Sequence, residues 1–165
     1  MEQKLAEALS ELATGIYVLT VREGEHLHGM SSSWVTQVSG DPPLIMAAVD
    51  KRHLSHGMIE RQGVFALNVV GRNRKELEDY FFSAASRRPD NLAPFAYAFG
   101  ETGAPLLTLA MVVFECRVVN HYPAGDHTLF VAAIVQAAVR EPDRPMTSLD
   151  LPYVYVGTVI QRQRN

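Results

Sequence analysis

Four hydroxyls crowd one short segment near the start of this chain. In Gly29-Met30-Ser31-Ser32-Ser33-Trp34-Val35-Thr36 they stand where a sheet built only for stability would carry valine, isoleucine or leucine. Far along the chain, Gly125-Asp126-His127-Thr128 sets an imidazole on a tight turn leading into apolar sequence. Hydroxyls hold polar ligands and a histidine can face a reactive partner, so together these segments point to a cofactor site.

In a strand, Ser31 and Ser33 point to one face and Ser32 and Trp34 to the other. Small side chains leave the backbone open to close approach, so an extended planar or phosphorylated ligand could lie against this strand. The alternative is a solvent-exposed polar edge strand; the neighbours Trp34, Val35 and Val38 favour a covered site.

Asp50-Lys51-Arg52-His53-Leu54-Ser55 stands at an expected helix entrance, where unpaired N–H groups and the helix dipole favour an anion. The dipole contributes only about 0.3–1 kcal/mol when exposed, so Lys51, His53 and Ser55 would do much of the holding. The plainer alternative, with Asp50 as N-cap and the basic residues solvated, stays open. Asn68 sits inside the apolar run Phe65 to Val70, where an unpartnered amide costs about 1–3 kcal/mol. It must meet either the backbone of a neighbouring loop or a ligand. His127 could itself be an exposed residue beside a turn. His53 and His56 lack a further ligand at a spacing that completes a metal site, and Cys116, between Phe114 and Val118 in a long apolar strand, reads as core.

The elements that must position these residues follow from pattern. Leu5, Ala8, Leu9 and Leu12 predict a short opening helix, and Leu54, Met58 and Ile59 a second one stopped by Gly63. A third helix is expected over 74–85. Strands are expected over 16–21, 26–38, 44–49, 64–70, 111–122, 128–139 and 153–160. Gly40-Asp41-Pro42-Pro43 must interrupt the sheet, because two prolines remove two backbone donors. Residues 86–105 read as an irregular excursion. Hairpin connections outnumber helical crossovers, which favours an antiparallel barrel with helices around it over a doubly wound nucleotide fold.

Composition sets the limits. The 165 residues make one domain, able to bury a core without staples; 47% are hydrophobic and 20% charged, a globular composition. A net charge of −3 argues against a general nucleic-acid surface. The single cysteine excludes a disulfide framework and fits a reducing compartment, and no apolar run approaches the roughly 20 residues of a spanning helix. A cytoplasmic protein with no membrane or nucleic-acid partner is expected.

The order Gly29 to Ser39, Asp41-Pro42-Pro43-Leu44, Lys51, Ser55, Ile59, Phe65, Asn68-Val69, Gly103-Ala104-Pro105-Leu106, Glu115-Cys116-Arg117-Val118 and Gly125-Asp126-His127-Thr128-Leu129-Phe130 resembles the flavin reductase-like family of FMN-binding split barrels. The likeness runs from about Leu12 to Gly157. It implies a mainly β fold: an antiparallel split barrel of Greek-key type with a few flanking helices, one FMN-binding domain over 1–165, paired as a homodimer. It also implies that Ser31, Ser33 and Thr36 lie along the flavin, that Lys51, His53 and Ser55 hold its phosphate, and that Asn68 marks a strand touching the cofactor. His127 matches a histidine that sits near the nicotinamide in reductases of this type. The function implied is electron transfer from NADH or NADPH through FMN to free flavin or an acceptor protein. The alternative is a flavoredoxin-like carrier whose flavin is reduced by a redox protein.

Overall fold

The computed structural model describes residues 1–88, 91–93 and 95–162. Seven strands form one antiparallel sheet: β1 (Tyr17–Glu23), β2 (His26–Ser32), β3 (Val35–Gly40), β4 (Pro43–Asp50), β5 (Val64–Val69), β8 (Val112–Ala124) and β9 (His127–Val139), in the order β2-β1-β5-β8-β9-β4-β3. Short pairs β6 (Tyr97–Phe99) with β7 (Pro105–Leu107) and β10 (Tyr153–Tyr155) with β11 (Val159–Gln161) flank it. Three helices complete the fold: α1 (Gln3–Ser10), α2 (Leu54–Gln62) and α3 (Lys75–Phe81).

Four expectations change. The strand expected over 26–38 is two strands at opposite edges of the sheet, joined only by Ser33-Trp34. Two residues span about 7 Å at most, so the sheet curls until its edges meet at this corner. The barrel is nevertheless not closed: β2 and β3 are not paired, and the sheet is open. The Trp34 carbonyl instead accepts from Ala48 N on β4 (2.9 Å), which turns the chain from one edge to the other. At the C-terminal end, the expected strand over 153–160 folds back on itself as β10 and β11, with Gly157 at φ +93 in the reversal. The third helix stops early, at Phe81.

Other elements stand close to expectation. Gly63 ends α2 at φ +65, a left-handed cap that glycine adopts without a Cβ penalty. Gly125, at φ +59, makes the two-residue turn between β8 and β9. Alternation sorts the strands: Leu19, Val21, Ile45, Ala47, Val49, Phe65, Leu67, Phe130 and Ala132 pack with Met58 and Ile59 of α2 inside the curl. Val18 and Ala66 face the other way, against Leu77 and Phe81 of α3 and Leu107. β1 and β5 are thus buried on both faces, and each large side chain so enclosed contributes about 1.5–3 kcal/mol.

Candidate functional site

A cleft of about 630 Å³ opens between β2, the start of α2, α3 with the segment after it, and the β10–β11 pair. That volume is in the range that holds a cofactor-sized ligand. Ser31, Ser33, His53 and His127, far apart in sequence, all line it, with Trp34 between them. Thr36, Lys51, Ser55 and Asn68 do not.

Each of those four has a definite place. Thr36 is exposed on edge strand β3. Lys51 Nζ donates to Gly125 O (2.7 Å) and its N–H to Asp126 O (3.0 Å), tying the end of β4 to the turn before His127. Ser55 is fully buried, with its hydroxyl against Met30 Sδ (2.7 Å). Asn68, also fully buried, donates to Val18 O (3.0 Å) and Thr20 Oγ1 (3.1 Å) and accepts from Leu107 N (2.7 Å). Its partners are therefore strand and loop atoms of the protein, the ordinary outcome for a buried amide.

His127 is held from two sides. Its Nδ1 lies 2.6 Å from Asp126 Oδ1, a contact that keeps the Asp126 carboxyl below its usual range. Trp34 packs on the ring with centroids 4.6 Å apart, and Tyr155 of β10 packs on Trp34 at 5.4 Å. Across the ladder His127 pairs with Asp50, whose buried carboxylate accepts from Arg52 N (2.8 Å), Nε (3.1 Å) and Nη2 (2.7 Å). Those bonds hold Asp50 well below the ordinary carboxylate range, so it carries its charge while turning the chain toward α2. The α2 N-cap is His53, not Asp50, and it makes no side-chain cap bond. His56 N–H is bonded to His53 O (3.0 Å), which leaves the N–H groups of Leu54 and Ser55 without a side-chain cap at the start of α2.

The opposite wall carries a buried carboxylate. Glu78 of α3 accepts from Ser31 Oγ (2.5 Å) and Tyr153 Oη (3.0 Å), and burial pushes its pKa up. Ser31 is therefore oriented by the protein, and Tyr153, stacked on Phe82 at 4.5 Å, closes that side.

A family profile described as the flavin reductase like domain matches residues 9–162. The chain belongs to this family. It is 33% identical over 135 residues to an NADH-dependent flavin reductase of Rhodococcus sp, covering 80% of this chain and 74% of that protein. It is 31% identical over 156 residues to the high molecular weight rubredoxin of Moorella thermoacetica, covering 92% of this chain and 67% of the relative. Among solved structures, the styrene monooxygenase flavin reductase of Pseudomonas putida superposes with a TM-score of 0.77 at 31% identity, over 88% of this chain and 91% of the other.

A flavin reductase-like domain must hold a flat ring system and a phosphate, and the cleft fits both. Small hydroxyls and aromatic side chains line one part of it, and His53 and Leu54 at the start of α2, which has no side-chain cap, line another. Sequence reading used Trp34 only as a sign of a covered site, and it missed the Asp50–Arg52 pair, Glu78 and Arg88. The Asp50-Lys51-Arg52 string carried a signal for the pair, because an aspartate two residues before an arginine at a strand end can turn back to it. Glu78 and Arg88 look like surface residues in sequence; Glu78 is buried where α3 meets Ser31 of β2 and Tyr153 of β10, and Arg88 against Gly29, Tyr80 and Phe81.

Proposed function

We propose that this protein is a cytoplasmic, homodimeric NAD(P)H:flavin oxidoreductase that binds one FMN in each cleft. The observation that carries this reading is the convergence of Ser31, Ser33, His53 and His127 on one cleft, although they come from different elements. When bound, the flavin supplies the redox chemistry, taking a hydride from NADH or NADPH and passing electrons to free flavin or an acceptor protein.

The chain's own residues bind and orient. Ser31, fixed by Glu78, and Ser33 lie along the ring and ribityl chain, and His53 with the α2 N-terminus takes the phosphate. His127, with Nδ1 engaged by Asp126, turns its other ring nitrogen to the incoming nicotinamide and positions it. Trp34 keeps water from that face. Lys51, Ser55 and Asn68 act by holding the strands and turns that carry these groups. Thr36, on exposed β3, completes the groove where two copies of a split barrel meet. Exposed Val38, Val119, Tyr122 and Val139 on β3, β8 and β9 support such pairing. No helix among the described residues is long and apolar enough to cross a membrane.

The likeness to the high molecular weight rubredoxin favours one second reading, a carrier whose flavin is reduced by a redox protein. Steady-state oxidation of NADH and NADPH with and without added FMN separates them. A reductase consumes nicotinamide in proportion to enzyme; a carrier binds FMN and leaves both nucleotides untouched.

A further inference from the structure

Arg88 follows α3 and lines the cleft, yet is only 7% exposed. Its Nη1 donates to Gly29 O on β2 (3.1 Å), its Nε is buried without a partner, and its guanidinium lies 5.4 Å from the ring centroids of both Tyr80 and Phe81. No carboxylate among the described residues forms an ion pair with it. A buried, unpaired guanidinium is costly, and an anion seated against it removes that cost.

The neighbourhood adds imidazoles, which can donate a ring N–H even when neutral. His28, on the same stretch of β2, is buried within electrostatic reach of both Arg88 and His53. Met30, two residues on, packs against Ser55 in the first turn of α2. The short run His28-Gly29-Met30 thus lies between Arg88 on one side and the uncapped start of α2 on the other. Of the described carboxylates that line the cleft, Asp50 is already engaged by Arg52 and Glu78 by Ser31 and Tyr153.

The structure assigns to Arg88 an anion subsite: with His28, His53 and the α2 N-terminus it clamps the terminal phosphate of the bound flavin mononucleotide. This rests on the flavin reading above and extends it, because the phosphate is then gripped from the α3 side as well as from the α2 side. Arg is suited to the task, since its planar fork can place two N–H groups on two phosphate oxygens.

The test compares FMN with riboflavin, which lacks the phosphate, by quenching of flavin fluorescence in the full-length protein. Wild type is expected to bind FMN at least about tenfold more tightly than riboflavin. Arg88→Met is expected to weaken FMN about tenfold or more and to leave riboflavin within about twofold, with Arg88→Lys intermediate. Inorganic phosphate is expected to raise the melting temperature of flavin-free wild type and not of Arg88→Met. Should Arg88→Met fail to fold, the comparison in wild type and Arg88→Lys decides. Equal affinity of wild type for FMN and riboflavin overturns the subsite but leaves a flavoprotein; binding of neither flavin overturns the functional reading as well. Loss of both flavins in parallel in a folded variant also overturns it, since a merely structural role would act that way.

Discussion

The indole of Trp34 lies 4.6 Å from the imidazole of His127, the two rings inclined by 38°. Trp34 stands at the corner where the chain leaves β2 for β3, and His127 opens β9 beside Asp50 of β4. A histidine that is 5% exposed, bonded to Asp126 and covered by an aromatic ring has little rotational freedom, as a positioning group requires.

His127→Ala should therefore slow hydride transfer by about 10²-fold, the scale of a loss of alignment, while FMN affinity stays within about threefold. Stopped-flow reduction under anaerobic conditions, alongside a fluorescence titration, separates the two quantities. Equal rates for wild type and variant would remove His127 from the reaction.

Asn68→Leu should destabilise the protein by about 1–3 kcal/mol, since it strips partners from the buried Leu107 N–H and the Val18 carbonyl. Urea unfolding measures it. A neutral effect would mean that the surrounding atoms find other partners.

Gly29 faces α3 so closely that an added Cβ would lie 2.7 Å from Phe81 Cε1. Gly29→Ala should cost about 1–3 kcal/mol through this overpacking. It should also weaken FMN, because Gly29 carries the carbonyl that holds Arg88. An unfolding midpoint equal to wild type would show that Phe81 can move aside.

His28 supplies a pH signature. Burial first, then the charges of Arg88 and His53, bring its pKa down to about 4, whereas in an unfolded chain it titrates near about 6.5. Between those values the unfolded state binds more protons than the folded one. The contribution is therefore fully present above about pH 6.5 and is lost as pH falls toward about 4. His28→Gln should flatten the rise in urea midpoint across that window; an unchanged slope would mean that His28 does not titrate there.

Much of this was legible in the sequence. Gly63, Gly125 and the β-branched runs mark where α2 ends and where β8 turns into β9, because those signals are local. The break at Ser33-Trp34 was not, since a hydroxyl-rich run reads the same whether it continues one strand or crosses between two edges. The hydroxyls and histidines of the cleft could be found by type. Asn68 was ambiguous until its three bonds showed strand and loop partners. Glu78 and Arg88 escaped because a charge on a short helix or loop looks solvated, and burial there depends on contacts remote in sequence, Tyr153 and Ser31 for Glu78 and Gly29 for Arg88.

The most direct measurement is an anaerobic titration in a single cuvette: protein with stoichiometric FMN, then NADH, then NADPH, following the flavin's visible absorbance. FMN fluorescence should be quenched on mixing and the flavin rapidly bleached by at least one nucleotide, with reoxidation when free flavin or oxygen is admitted. FMN that binds but is bleached by neither nucleotide would contradict a nicotinamide-driven reductase, and FMN that does not bind would contradict the cleft as a flavin site.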